Sequence, residues 1–259
     1  MRRLRHLTSL HRTPATNRLL GFLLAFNAGA INAGGFLVVG LYTSHMSGFV
    51  SMLADNLVLG NVVLVASACG ALLSFTAGAA LTAVLVNWGR VHHLRSGYAL
   101  PLLLEAVLML LFGLIGSTFN RQTPFAVPFT VLLLAFIMGL QNALVTKISS
   151  AQIRTTHMTG VITDLGIELG KMLYWNGAPS GTTPQVRANP ARLKLLASLL
   201  GLFTVGGIVG ASGFKHIGFI WVLPLAALLL SLSLPPLLGD LRRLGRLLEH
   251  GPAADSPHS

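Results

Sequence analysis

Six stretches of the chain, 19–40, 62–86, 98–119, 125–146, 195–213 and 217–234, are strongly apolar, and together they hold a single Asp, Glu, Lys or Arg, Glu105. A helix needs about 20 apolar residues to cross the hydrocarbon core of a bilayer. These runs therefore predict six transmembrane helices, an all-α integral membrane fold. Turn and charge signals separate them: Arg90 to Arg95, Asn120 to Pro124, and Lys215-His216. Pro235-Pro236 is expected to end the last span. Composition agrees. Charged residues make up 10% of the chain, against about a quarter in soluble domains.

The basic residues set the orientation. With both termini in the cytoplasm, the tail 1–18, the loop holding Arg90 and Arg95, the region 147–194 and the tail 235–259 collect sixteen of the eighteen Lys and Arg. Only Arg121 and Lys215 fall on the other side. Cytoplasmic loops gather Lys and Arg, so six spans with both ends inside a bacterial inner membrane are expected. The net charge of +11 is read the same way, not as a sign of nucleic acid. The basic start is no cleavable signal, because the apolar run after it is too long for a signal core. The lone cysteine, Cys69, can form no internal disulfide and is read as a packing residue.

An internal repeat runs through the chain. Thr43-Ser44-His45-Met46-Ser47-Gly48 matches Thr155-Thr156-His157-Met158-Thr159-Gly160, and Asn32-Ala33 upstream matches Asn142-Ala143. Such self-similarity marks duplication. The units are 19–119 and 125–234, each a span, a polar motif, a short helix (46–59 or 158–173) and two more spans. Three spans per unit is an odd number, so the second copy enters from the opposite face. This predicts a 3+3 inverted repeat, a plan characteristic of secondary transporters. At 14 and 16 residues the short helices suit half-helices or interfacial helices. If both crossed, the repeat would be parallel.

The runs Asn27-Ala28-Gly29-Ala30-Ile31-Asn32-Ala33-Gly34-Gly35-Phe36 and Gly139-Leu140-Gln141-Asn142-Ala143, with the two His-Met motifs, carry a resemblance. Over about 19–235 the chain resembles the YoaK-type family of uncharacterised bacterial multi-pass membrane proteins. The resemblance implies an inner-membrane protein and transfers no catalytic residues.

Polar groups at membrane depth are costly and ask for a reason. Glu105 is read either as a proton or cation site facing the bundle interior or as a buried carboxyl that fixes packing. His45 and His157 stand at the entry to the short helices, where Ser47 and Thr159 are expected to cap. The backbone N–H groups left free at such a positive helix start suit an anion, and His exchanges protons near neutral pH. The substrate or ion candidates are Asn32, Thr43, His45, Ser47, Asn142, Thr155, His157 and Thr159, set between the two motif breaks. The proton-coupling candidates are Glu105, Asp164 and Glu168, the last two sharing one helix face. The blander alternatives are groups that satisfy a helix break and a solvated polar face. Gly206/Gly210 and Gly166/Gly170, each four apart, are expected to let helices approach closely.

No haem, metal or other cofactor is expected, because adjacent His and Met on one helix point apart. No nucleotide loop or hydrolase motif occurs. The sequence points to a small secondary transporter, proton-coupled, for a polar or anionic solute, and not to an enzyme. The competing classes are a non-transporting scaffold or helper subunit and an intramembrane enzyme. Expected partners are the lipid bilayer and a small solute; an oligomer is compatible.

Overall fold

A computed structural model describes residues 13–92, 94, 96–118, 126–149, 153–176 and 185–249. The basic tail ahead of Thr13, Arg95, the 119–125 break with Arg121, and the tail beyond 249 lie outside the described residues. The elements are α1 (Pro14–Val39), α2 (Met46–Leu59), α3 (Val62–Val91), α4 (Ala99–Thr118), α5 (Ala126–Ser149), α6 (Met158–Leu173), α7 (Pro190–His216), a 3-10 turn (Gly218–Trp221) and α8 (Val222–Glu249). Among the described residues, six helical stretches are long and apolar enough to cross a membrane. They are the six expected from the sequence. α2 and α6 are too short to count among them.

Local chemistry sets the boundaries. Thr13 caps α1 through its hydroxyl, and Pro14 fills the first helical position. There the missing N–H costs nothing. Gly40 and Gly60 end α1 and α2 with φ of 71°, a left-handed conformation that suits glycine. Asn61 caps α3 and Asn189 caps α7, each with its side-chain oxygen.

One boundary differs from expectation. α8 does not stop at Pro235-Pro236 but runs through both prolines. Proline removes donors yet keeps a helical φ, and membrane helices tolerate it where neighbours hold the chain. Beyond the prolines, the Asp240 carboxylate accepts the Ser96 N–H at 2.9 Å and the Ser96 hydroxyl at 2.6 Å. This ties the segment after the prolines to the α3–α4 loop.

Packing is reciprocal between the units. The broadest interfaces are α1 on α7, α3 on α5, and α4 on α8. Exchanging α1 with α5, α3 with α7 and α4 with α8 turns the first into the second and leaves the third unchanged. α1 and α5 also touch each other. They are the most enclosed spans, 56% and 67% buried, against 17% for α3 and 22% for α7.

Both large crossings use one device, Phe-x-x-Gly. On α1 and α7, Gly29 faces the Phe203 carbonyl and Gly206 faces the Phe26 carbonyl. On α3 and α5, Gly78 faces the Phe136 carbonyl and Gly139 faces the Phe75 carbonyl. A methyl group at any of the four would overlap that backbone. In lipid there is little hydrophobic drive between helices, so such close backbone contact carries the association. Gly210 joins Gly206 in this contact, as expected, packing on Ala30. Gly166 and Gly170 do not: both are exposed and have nothing within 4 Å. Their spacing is right, but α6 turns that face outward.

The interior between α1, α4, α5 and α8 is filled by Leu24, Leu102, Met109, Leu134, Met138 and Leu229, all essentially inaccessible. At one end, Phe112, Phe214 and Phe219 meet at centroid distances of 5.7–6.3 Å.

Candidate functional site

Each polar motif follows a long helix, α1 or α5, and is tied back to it by a bond between an amide and a hydroxyl. Asn32 Oδ1 on α1 accepts the Ser44 hydroxyl at 3.0 Å and the Ser44 N–H at 3.4 Å. Asn142 Oδ1 on α5 accepts the Thr156 hydroxyl at 2.6 Å. The exposure of residues 42–50 repeats position by position in 154–162. Thr43 and Thr155 are buried, while His45, Ser47, His157 and Thr159 are exposed.

The histidines, not Ser47 or Thr159, occupy the N-cap positions of α2 and α6, and no side chain caps either helix. Ser47 and Thr159 fall one residue inside and cannot cap, because the helices already begin at Met46 and Met158. Each imidazole folds over its own first helical turn. A Cβ on Gly48 would lie 2.9 Å from His45 Nδ1, and one on Gly160 would overlap the His157 ring. This explains the glycine three residues after each histidine.

The two motifs do not share one site. His45 follows Gly40, the end of α1. His157 lines a cavity with Arg18, near the start of α1. About 33 Å of helix separates Arg18 from Gly40 at about 1.5 Å per residue. Asn32 and Asn142 likewise serve separate motifs.

The cavity beside His157 has a volume of about 830 Å³ and is lined by Arg18, Arg154, Arg192, Thr159, Asp164 and Leu195, among others. Three guanidiniums against one carboxylate make it basic. Arg154 Nη1 stands 3.2 Å from His157 Nδ1. Guanidinium only donates, so a hydrogen bond between them has Nδ1 as its acceptor. The cavity also borders the uncapped start of α6. At the matching place in the first unit, Tyr42 replaces Arg154 and stacks on Phe36 at 4.6 Å.

The carboxylates of α6 hold the start of α7. Asp164 pairs with Arg192 at 3.1 Å. Glu168, 1% exposed, accepts the Asn189 N–H and the Lys171 ammonium, both at 2.8 Å. The Asn189 N–H first, then Lys171, hold its carboxyl below the usual range for glutamate. In the first unit Asn56 takes this place: its backbone carbonyl accepts the Asn61 N–H at 3.0 Å. The same junction is made with a charge in one unit and without it in the other.

Glu105 is fully buried on α4, and neither carboxylate oxygen has a hydrogen-bond partner among the described residues. Asn27 on α1 and Gln141 on α5 are equally buried, and each has an unpartnered side-chain oxygen. Sequence reasoning missed these two amides, although each lies inside an apolar run where a polar residue is conspicuous. It also missed Ser44 and Thr156, which carry the bonds to the asparagines, and the arginines of the cavity. Further short sequence matches lie outside the motifs. Phe-x-x-Gly recurs in four helices, and Leu-Pro-Leu opens both α4 (Leu100-Pro101-Leu102) and α8 (Leu223-Pro224-Leu225).

A family model described as protein of unknown function (DUF1275) matches residues 20–234. The UPF0700 transmembrane protein YoaK of Bacillus subtilis (strain 168) is 26% identical over 210 residues, covering 80% of this chain and 88% of that protein. No solved structure matches.

Proposed function

The chain belongs to the family described as protein of unknown function (DUF1275), and on that premise we propose that this multi-pass membrane protein is a small secondary transporter for a small anionic solute. In this reading it is a 3+3 inverted repeat in the bacterial inner membrane, with both termini cytoplasmic, and it performs no covalent chemistry. The observation that carries the reading is the reciprocity of the two units. α1 crosses α7 through the same Phe-x-x-Gly contact by which α5 crosses α3. Two equivalent interfaces let the units exchange conformations, which is what alternating access requires.

The motifs then act at opposite faces, one at each entrance, and not around a shared midplane site. The arginine-lined cavity beside His157 is the cytoplasmic entrance. Arg18, Arg154, Arg192 and the uncapped start of α6 favour a negatively charged solute there. Thr159 and His157 offer a hydroxyl and an imidazole to the same space.

The test is uptake into proteoliposomes of purified protein, against a panel of small mono- and dicarboxylates, phosphate and sulfate, with a pH or sodium gradient imposed. One anion is expected to accumulate, and Arg154→Gln is expected to raise its KM several-fold. Failure of every anion to move under either gradient, in protein that remains folded, would overturn the reading.

A further inference from the structure

The interior of the bundle holds three polar side chains that the motifs do not use. Gln141 Nε2 donates to the Leu24 carbonyl at 3.3 Å, and Asn27 Nδ2 reaches the Met109 sulfur at 3.6 Å. Leu24 and Asn27 are one turn apart on α1; Glu105 and Met109 are one turn apart on α4. Residues three or four apart share a helix face. Gln141 therefore reaches α1 one turn from Asn27, and Asn27 reaches α4 one turn from Glu105.

Each amide nitrogen has one acceptor, a carbonyl for Gln141 and a thioether for Asn27. Four oxygens remain without a partner among the described residues: Asn27 Oδ1, Gln141 Oε1 and both carboxylate oxygens of Glu105. All are acceptors, and an anion or a further carbonyl would only repel them. The chemistry that satisfies such a set is a proton or a hard cation, which takes oxygen ligands.

Among the described residues no charged side chain pairs with Glu105. The described charged groups on the helices around it are Arg18, Arg90 and Lys147, toward helix ends, and Asp240, Arg242 and Arg243, on α8 beyond its prolines. Asp240 is already bound to Ser96. Tyr98 precedes α4 by one residue, and Cys69 lies toward the start of α3, whereas α3 meets the start of α4 from its other end, where Gly89 touches Gly97.

We propose that Glu105, Asn27 and Gln141 form a buried site for one monovalent cation, a proton or an alkali ion, and that this is the coupling ion of the cycle. The word coupling rests on the transport reading above; cation binding stands without it. The ion neutralises Glu105 in a medium where an unpaired carboxylate is costly, and the two amide oxygens hold it in place.

The experiment measures the melting temperature of the purified protein in detergent or nanodiscs without any solute. Equal concentrations of sodium, potassium and N-methylglucamine chloride are compared at several pH values between 6 and 8. If the ion is a metal, sodium or potassium raises the melting temperature by several degrees over N-methylglucamine. If it is a proton, the salts act alike and stability falls as pH rises, because the native state binds the proton. Either response is expected to vanish in Glu105→Gln. Asn27→Leu and Gln141→Leu, which keep the carboxylate, are expected to weaken it at least tenfold in cation concentration. Wild type and Glu105→Gln responding alike to every salt and pH would overturn the site; should Glu105→Gln not fold, a wild-type response unchanged in both amide variants would do so. A cation response without solute uptake would sink only the transport reading, and uptake without a cation response only this inference.

Discussion

Asn142 Oδ1 accepts the Thr156 hydroxyl at 2.6 Å, fixing the residue before His157 to the end of α5. Asn32 and Ser44 repeat the contact at 3.0 Å in the other unit. Each short helix is thus presented at a set distance from its span. A neutral hydrogen bond of this kind contributes roughly 1 kcal/mol. Asn142→Ala is expected to lower the melting temperature by a few degrees, and Asn32→Ala by a similar amount. Thr156→Val should match Asn142→Ala, with the double variant no worse than either. Full additivity in that cycle would contradict the contact.

The crossings make a sharper demand. Gly139→Ala and Gly206→Ala place a methyl group against the Phe75 and Phe26 carbonyls. Overpacking of this sort costs about 1–3 kcal/mol. Gly166→Ala and Gly170→Ala meet nothing within 4 Å, and alanine is the better helix former by up to about 1 kcal/mol. Thermal unfolding should separate the two pairs, the first losing stability and the second keeping or gaining it. Equal behaviour would mean that the crossings are looser than described.

Orientation is open to direct labelling. In a Cys69→Ala background, Ser47→Cys and Thr159→Cys put single thiols at exposed, equivalent places. An inverted repeat predicts that a membrane-impermeant maleimide labels Ser47→Cys from outside intact cells and Thr159→Cys only after lysis. A parallel repeat predicts labelling from the same side.

Acid should loosen the α6–α7 junction. The Asn189 N–H and Lys171 lower the pKa of Glu168, so its contribution is present above the unfolded value, about 4.3. It is lost as pH falls through the lower native value. The melting temperature of wild type is expected to drop more steeply than that of Glu168→Gln below about pH 4. Parallel curves would show that the carboxylate contributes nothing in this window.

The spans were legible because lipid imposes a simple rule: about 20 apolar residues per crossing, with charge left outside. The His-Met motifs were legible because duplication preserves residue identity in order. The partners within the motif were not. Sequence order gives no sign that Ser44 and Thr156, not Thr43 and Thr155, turn toward the asparagines. Nor does it reveal that His45 and His157 end up at opposite ends of α1, since that depends on how the loops return. Glycine spacing had the same defect. Gly206/Gly210 and Gly166/Gly170 look alike in sequence, and only the packing partner distinguishes a contact from open space.

By itself, then, the sequence determined the membrane class, the long apolar helices and the recurrence of the His-Met motif, all consequences of local composition and repetition. Tertiary structure decided which helix crosses which, ran α8 on through its prolines, tied Asp240 to Ser96, and buried Asn27, Glu105 and Gln141 on three different helices. Those outcomes depend on backbones meeting far apart in the chain. In lipid it is the fit of such surfaces, and not apolarity, that tells one helix partner from another.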